Sequence, residues 1–142
     1  MAERVESEED IAACYEVMAE LRPHLSRESF VANVREMRRD GFRLACIRQQ
    51  GRVVAVAGYR VSTSLFCGRH LYVDDLVTAA GERSKGHGRA LLAWLRAEAV
   101  AADCEMFHLD SGIQRKDAHR FYLREGMELS SYHFSERLKP RP

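Results

Sequence analysis

Two stretches in the first part of the chain carry apolar side chains at the spacing of an amphipathic helix. In the first stretch these side chains are Ile11, Cys14, Tyr15, Met18 and Leu21. Ser7 and the acidic residues after it predict the helix start, because a hydroxyl caps free N–H groups and carboxylates favour the positive end of the dipole. Pro23 predicts its end. The second helix is predicted to begin near Ser26 and to close at Gly41, with an apolar face made of Phe30, Val34 and Met37.

The pattern then changes to the short apolar runs that are typical of β-strands. Residues 42–48 and 53–61 are two such runs, and the polar residues 49–52 between them predict a hairpin turn. Residues 72–78 predict a third strand. These strands follow one another closely, so we expect them to pair in antiparallel fashion.

Helix and strand signals alternate in the remainder of the chain. A helix is predicted from Gly86 to about Ala102, with an apolar face formed by Leu91, Leu92, Leu95 and Ala99. A short buried strand at 106–109 follows, then a short helix at 117–125 that Gly126 ends, and a final strand at 129–134. Antiparallel strands followed by a strand–helix–strand crossover predict an α/β (α+β) fold, with a mixed sheet and helices on both of its faces.

Composition limits the size and the class of the protein. The chain has 142 residues, of which 46% are apolar, enough for one buried core, and it shows no repeat or linker. We therefore expect a single domain over residues 1–142. The net charge is only +1, and Arg35, Arg38 and Arg39 lie among the acidic residues Glu36 and Asp40, so we expect a solvated helix face and no nucleic-acid partner.

Targeting signals and metal-binding patterns are also absent from the sequence. The first ten residues are acidic and polar, unlike a secretory signal, and no apolar run reaches the roughly 18–20 residues of a membrane span. The four cysteines are scattered, without the spacing of metal ligands. We expect a cytoplasmic protein with reduced thiols, no membrane partner and no metal.

The most informative segment is the glycine-containing turn RSKGHGR at residues 83–89. Glycine lets the backbone approach a ligand closely, and the first turn of the next helix offers free N–H groups and a positive dipole end. The turn therefore predicts a phosphate-binding site. A P-loop is excluded because His87 and Gly88 follow Gly86, and a Rossmann fingerprint is disfavoured because Leu91 stands where a third small residue is needed.

The same turn resembles the signature of the GNAT N-acetyltransferase family, Arg/Gln-x-x-Gly-x-Gly/Ala, through Arg83, Gly86 and Gly88. Upstream, the segment YVDDLVT at 72–78 resembles the fourth strand of the family. Downstream, the residues that resemble the family segment A-x-x-F-Y-x-x-x-G-F are Ala118, Phe121, Tyr122, Gly126 and Met127. Arg115 stands where the family often has Asn, and Thr78 where it often has an apolar residue.

The resemblance implies a fold in which the fourth and fifth strands are parallel and splay apart, with acetyl-CoA (coenzyme A) as the cofactor. Its pantetheine arm would lie in the gap and pair with the backbone of Leu76, Val77 and Thr78. The pyrophosphate would bind the turn, where the expected cofactor-binding residues are Arg83, Ser84, Lys85, Gly86, His87, Gly88 and Arg89.

The resemblance also assigns catalytic roles. Tyr122 aligns with a general acid that protonates the departing thiolate, and its phenol, with an ordinary pKa near 10, is protonated at neutral pH; the alternative is a core aromatic residue. Asp74 takes the place of the general base, directly or through water, and Asp75 helps to bind the amine. Strand alternation puts Asp74 on the face of Tyr72 and Leu76 and Asp75 on the other face. Pairing with a nearby Arg or His is the alternative for both carboxylates. A backbone N–H near Val77 is the expected oxyanion donor.

Further candidates for the substrate site follow from their positions in the chain. Asp110 and Ser111 end the strand at 106–109, where open α/β sheets place ligands, although a turn or N-cap role is equally consistent. His119 and His133 are further candidates for lining the substrate site, with a local hydrogen bond as the alternative.

The predicted function is acetyl transfer from acetyl-CoA to a primary amine of a small molecule, by direct attack in a ternary complex. A polyamine, an amino-acid derivative or an aminoglycoside would fit, since acidic residues attract a cationic amine. The alternatives are acetylation of a protein or peptide at Lys or the N-terminus, and a CoA-binding sensor without catalysis. Similar proteins are commonly homodimers, which leaves a homodimer as an option.

Overall fold

The sheet has five strands that are adjacent in space in the order in which they occur in the chain. The structure is a computed structural model and describes residues 1–141. The strands are β1 (Ala2–Val5), β2 (Phe42–Gln49), β3 (Arg52–Ser64), β4 (Gly68–Thr78) and β5 (Met106–Leu109). β1 to β4 pair antiparallel with their neighbours, whereas β5 runs parallel to β4. The expected mixed, mostly antiparallel sheet is confirmed.

Five α-helices accompany the sheet in the described residues: α1 (Glu8–Ala13), α2 (Tyr15–Leu21), α3 (Arg27–Met37), α4 (His87–Ala101) and α5 (Lys116–Arg124). The predicted helix starts are confirmed, since Ser7 accepts a hydrogen bond from the Asp10 N–H, and Ser26 accepts one from the Ser29 N–H. The first predicted helix is two helices, because Cys14 interrupts it.

Apolar side chains fill both sides of the sheet. The α4 cluster joins Leu91, Leu95 and Ala99 of that helix to strand residues such as Leu71 and Val73. The α1–α3 cluster joins the three N-terminal helices to the other side of the strands, through residues that include Ile11, Met18, Phe30, Phe42 and Val77. The core therefore lies in two layers, with the sheet between them, as the sequence predicts.

Two strand predictions were incomplete or wrong. β1 was missed because AERV contains only two apolar residues, too few for a strand pattern; Ala2 and Val5 are nevertheless buried.

The prediction of a final strand at 129–134 is wrong: residues 127–136 have no regular secondary structure. Its apolar side chains stay in solvent, with Leu129 77%, Tyr132 78% and Phe134 91% exposed, and Ser130–Ser131 break the alternation that a half-buried strand needs. β5 is also only half-buried, and Met106 is exposed.

The chain divides into two compact units. The first unit comprises Met1–Leu109 and contains the whole sheet and α1 to α4. The second unit begins at Asp110 and contains α5. α5 ends as predicted, just before Gly126, whose φ of +90° is a conformation that glycine adopts readily.

Candidate active site

β4 carries a β-bulge at Asp74. Gly58 of β3 lies opposite Asp75 and Tyr59 lies opposite Val73, so β4 has one extra residue at this point. A bulge changes the faces on which the following side chains lie. Leu76 accordingly packs against the α4 cluster together with Val73, and the prediction that Tyr72, Asp74 and Leu76 share one face is wrong.

Gly58 allows the bulge to pack closely against β3. A Cβ added at Gly58 would lie 2.5 Å from Asp75 Oδ2 and 2.6 Å from Phe42 Cζ. Both distances are far below van der Waals contact, so a side chain at this position would have to displace one of these groups. The absence of a side chain at Gly58 thus makes room for the Asp75 carboxylate.

Asp75 is mostly buried and paired. Its side chain is 13% exposed, and its Oδ1 accepts a hydrogen bond from Arg22 Nε at 2.9 Å. Arg22 also donates from Nη2 to the Asp74 carbonyl oxygen at 3.0 Å, which ties the C-terminal end of α2 to the bulge. Burial raises the pKa of Asp75, and the Arg22 guanidinium opposes this rise by stabilising the carboxylate.

Asp74 has a different partner. Its Oδ2 accepts a hydrogen bond from Arg60 Nε at 3.0 Å, and the Arg60 guanidinium lies 5.5 Å from the centroid of the Phe42 ring. The side chains of Asp74 and Arg60 are both partly exposed. The alternative of arginine pairing is therefore observed for both carboxylates, and the local charge of the bulge is balanced.

The pairing between β4 and β5 is short. Their parallel pairing runs from His70 opposite Met106 to Val73 opposite Leu109, where β5 ends. β4 continues to Thr78, and its residues 76–78 pair with β3 on the other side only, within the first unit. Leu76, Val77 and Thr78 thus form a free edge of β4 in this unit.

The turn after β4 has the backbone geometry of an anion site. Ser84 and Gly86 have left-handed φ angles of +65° and +87°, and α4 begins at His87. Left-handed residues next to right-handed ones direct successive N–H groups to one side, and the first turn of α4 adds N–H groups without partners in the helix. Ala80 before the turn is held by its N–H bond to Glu20 Oε1 of α2 at 2.9 Å.

The Glu82 carboxylate lies close to two of the basic side chains near this turn. Lys85 Nζ lies 3.3 Å, and His87 Nε2 3.6 Å, from Glu82 Oε1. The hydrogen bond from Lys85 lowers the pKa of Glu82. Glu82 therefore balances part of the positive charge that Lys85 brings to the turn. The His87 side chain is buried.

Tyr122 lies on α5 in the second unit. Its ring contacts that of Phe121 at a centroid distance of 5.3 Å, and its carbonyl oxygen accepts the Met127 N–H. Burial raises the pKa of Tyr122, with Arg115 acting in the opposite direction. The phenol is therefore protonated at neutral pH, which is the state that a proton donor needs.

The remaining substrate candidates also belong to the second unit. His119 Nε2 lies 2.8 Å from the Gly112 carbonyl oxygen, which is the local hydrogen bond given as its alternative. His133 Nδ1 lies 3.8 Å from Asp110 Oδ2. Ser111 Oγ is buried, with no hydrogen-bond partner among the described residues.

The first unit thus brings Asp74, Asp75 and the free edge of β4 into one continuous strand that leads into the 83–89 turn. Sequence reasoning missed Arg22, Arg60 and Gly58. Two adjacent carboxylates in an apolar strand signalled that cationic partners were required. Nothing in the sequence indicated which of the 22 Lys and Arg residues supply them, because Arg22 is 53 positions from Asp75.

No helix among the described residues is long and apolar enough to cross a membrane.

The mixed sheet, with its parallel β4–β5 pair, matches the fold expected of the acetyltransferase family that the sequence resembles. The model of the Acetyltransferase (GNAT) family matches residues 8–127, and the chain belongs to this family of N-acetyltransferase enzymes.

Three similar proteins illustrate the match. The uncharacterized N-acetyltransferase YhdJ of Bacillus subtilis is 36% identical over 130 residues, covering 90% of this chain and 92% of that protein. Aminoalkylphosphonate N-acetyltransferase of Salmonella typhimurium is 32% identical over 136 residues, covering 92% of this chain and 86% of that protein. The structure of AAC(6')-Iy in complex with the bisubstrate analogue CoA-S-monomethyl-acetylneamine has a TM-score of 0.84 at 12% identity, covers 99% of this chain and 98% of that chain, and supports the fold alone.

Proposed function

We propose that this protein transfers the acetyl group of acetyl-CoA to the primary amine of a small molecule, by direct attack in a ternary complex. The observation that carries the proposal is the free edge of β4 at 76–78, which leads into the turn at 83–89. An extended chain with amide groups can pair with such an edge, and a diphosphate fits a concave set of N–H groups. The family match spans both compact units, which supports the proposal of one domain over 1–142.

The residues of the cofactor site would act mainly through their backbones. Leu76, Val77 and Thr78 would pair with the pantetheine arm, and the N–H groups from Ser84 to Arg89 would hold the pyrophosphate. Arg83 and Arg89 would add positive charge. The thioester supplies the acetyl group, while the protein orients it and excludes water.

Three groups would serve the chemistry. Asp74 would accept the proton of the attacking amine, directly or through water, with Arg60 holding one of its carboxylate oxygens. A backbone N–H near Val77 would stabilise the oxyanion. As the carbon–sulfur bond breaks, Tyr122 would give its proton to the departing sulfur, and burial of Tyr122 supports this role by keeping the phenol protonated.

The charge balance of the bulge affects which amine is favoured as the acetyl acceptor. Asp74 and Asp75 are each neutralised by an arginine, so they offer little net attraction for a polycation. We therefore rank a small amine that also carries an anionic group before a polyamine or an aminoglycoside. The name of the Salmonella relative, an aminoalkylphosphonate N-acetyltransferase, supports this order. Asp75, Asp110, Ser111 and His119 stay proposed substrate contacts.

The test has two stages. Thermal unfolding with acetyl-CoA should give an upward shift that NAD and ATP do not give; a ligand at 100 times its Kd stabilises the fold by about 2.7 kcal/mol. CoA release is then measured with 2-aminoethylphosphonate, spermidine, kanamycin and a lysine-containing peptide. Turnover of the phosphonate alone supports the ranking, and turnover of the peptide alone makes the protein a peptide acetyltransferase. A stable acetyl-CoA complex without turnover of any amine favours the CoA sensor, and no thermal shift contradicts the cofactor assignment.

Gly86→Asp tests the turn itself. A carboxylate in the N–H cradle should abolish the thermal shift, because it repels a diphosphate. Gly126→Asp is the matched control, since Gly126 has a nearly identical φ of +90° against +87° but lies beyond α5. Equal loss of binding in both variants would mean that backbone strain, and not the cradle, is responsible.

A further inference from the structure

Three side chains with metal-binding atoms converge where β4 and β5 begin. One ligand atom of each of Cys67, His70 and His108 lies within 4.8 Å of the others, and all three side chains are half-buried. Within this cluster, His108 Nε2 lies 2.8 Å from His70 Nδ1. The two imidazoles thus direct nitrogen atoms toward each other beside a thiol.

The backbone holds these residues in place. Cys67 ends the turn between β3 and β4, where its N–H donates to Ser64 Oγ at 3.3 Å. The Glu105 N–H donates to the Arg69 carbonyl oxygen at 2.7 Å, which joins the start of β5 to β4 next to His70. The ligand atoms therefore come from three segments that are held by hydrogen bonds donated from main-chain N–H groups.

Serine hydroxyls contact two of the three side chains from outside the cluster. His70 Nε2, the nitrogen that points away from His108, lies 3.3 Å from Ser62 Oγ. Cys67 Sγ lies 3.3 Å from Ser64 Oγ. Hydrogen bonds of this kind orient metal-binding imidazoles and thiolates.

We propose that Cys67, His70 and His108 bind Zn²⁺ through one thiolate and two imidazole nitrogens, with water in the fourth position. This donor set suits Zn²⁺, which binds His nitrogen at about 2.0–2.1 Å and Cys sulfur at about 2.3 Å in tetrahedral geometry. Tetrahedral ligands at those lengths are about 3.4–3.7 Å apart. Side-chain rotations that separate the two nitrogens by about half an ångström bring them to this spacing, and the sulfur lies within 4.8 Å of both.

The site lies apart from the proposed acyl-transfer residues. His70 is four residues before Asp74 on β4, a separation of about 13 Å in an extended strand. Zn²⁺ at this position joins the β3–β4 turn, β4 and β5 where the parallel pairing of β4 and β5 begins. Its role is to brace that junction, and the inference does not depend on the identity of the acyl acceptor.

The experiment measures metal binding to the purified metal-free full chain. Titration with Zn²⁺ should show one equivalent bound and a rise in Tm. Co²⁺ in its place should give a thiolate-to-metal charge-transfer band and the intense visible bands of tetrahedral coordination. Cys67→Ser should remove the charge-transfer band, and His108→Gln should weaken Zn²⁺ binding by about 100-fold or more, beyond the effect of losing an outer contact.

Cys104→Ser is the matched control, because Cys104 is another half-buried thiol of the first unit that does not belong to the cluster. It should leave the band and the affinity unchanged. Absence of the band in the unaltered protein, or loss of the band in Cys104→Ser with retention in Cys67→Ser, would overturn the proposal. The spectrum of the unaltered protein decides the matter even if a variant fails to fold.

Discussion

At the scale of single residues, Asp74 and Asp75 are adjacent and chemically identical, but they differ in burial and in their arginine partners. Asp75 lies over Gly58, is mostly buried and pairs with Arg22, whereas Asp74 occupies the bulge and pairs with Arg60. A buried carboxylate depends on its partner far more than an exposed one does. We therefore expect Asp75 to be the more sensitive to the loss of its arginine.

Arg22→Ala should destabilise the protein by about 1–3 kcal/mol at neutral pH, because Asp75 is left buried without its cation. Solvent screens part of the attraction between Arg22 and Asp75, since the Arg22 side chain is 41% exposed. The raised pKa of Asp75 means that its protonated form is favoured in the fold, so the destabilisation should grow as pH rises through that pKa and shrink as pH falls toward about 4. Urea unfolding of the Arg22→Ala variant and the unaltered protein across this pH range measures the destabilisation.

Arg35→Ala is the control for the loss of a cation. Arg35 pairs with Glu8 on the surface, and both side chains are more than half exposed. Its effect should stay within about 1 kcal/mol. A pH-independent effect of Arg22→Ala would show that lost packing, and not the charge of Asp75, is the cause.

Tyr122→Phe should lower kcat by about 100-fold or more while the Kd for acetyl-CoA changes little, because the hydroxyl acts only as the thiolate departs. Tyr132→Phe makes the same chemical change at a residue that is 78% exposed and should leave kcat unchanged. Turnover with an amine from the panel, under conditions in which chemistry limits the rate, measures both variants. Equal kcat in Tyr122→Phe and the unaltered protein would remove Tyr122 from the mechanism.

At the scale of elements, the hydrogen-bonding pattern of β4 organises the site. The same strand pairs with β3 along its length, pairs with β5 over only four residues, and contains the bulge. The bulge directs Leu76 toward the α4 cluster, and the end of β5 at Leu109 leaves residues 76–78 as a free edge in the first unit. A change at the β3–β4 contact should therefore disturb both stability and the position of the carboxylates.

Gly58→Ala tests this contact. The added methyl group would meet Asp75 Oδ2 and the Phe42 ring at less than 3 Å, so we expect a loss of about 1–3 kcal/mol in the free energy of unfolding. Gly81→Ala is the control, because nothing lies within 4 Å of a Cβ at that position. Its effect should stay within about 0.5 kcal/mol. Similar values for the two variants would mean that the β3–β4 contact relaxes freely.

At the scale of the whole molecule, apolar burial is concentrated in the two clusters on either side of the sheet. The C-terminal residues contrast with them, since Leu129, Tyr132, Phe134 and Leu138 are all exposed. The stability of the described chain should therefore depend on the sheet and its helices, and little on these side chains.

Phe134→Ser should change the free energy of unfolding by less than about 0.5 kcal/mol, because the ring is 91% exposed. Phe30→Ser makes the same change in the α1–α3 cluster, where the ring is 3% exposed, and should destabilise the protein by at least about 3–5 kcal/mol. Chemical denaturation at neutral pH measures both. A large effect of Phe134→Ser would show that the ring is packed in solution, as the strand pattern at 129–134 predicts.

The sequence alone determined the elements whose signals lie within a few residues of one another. The caps at Ser7 and Ser26, the apolar face of α4, and the glycine turn that begins α4 depend on contacts between near neighbours, and the structure agrees with them. The family followed from the order and spacing of three motifs, and the matched family model confirms it. A short edge strand such as β1 escaped because its pairing with β2, and not its own pattern, stabilises it.

Only the tertiary structure decided which distant residues meet. The bulge at Asp74 arises from the register between β3 and β4, and it changed the predicted faces of Tyr72 and Leu76. The packing of α2 against β4 brings Arg22 to Asp75, and the pairing of β3 with β4 brings Arg60 to Asp74. In the same way, the pairing of β5 with β4 brings His108 next to His70. The physical reason is the same in each case: pairing and packing between distant segments depend on geometry that no local pattern in the chain records.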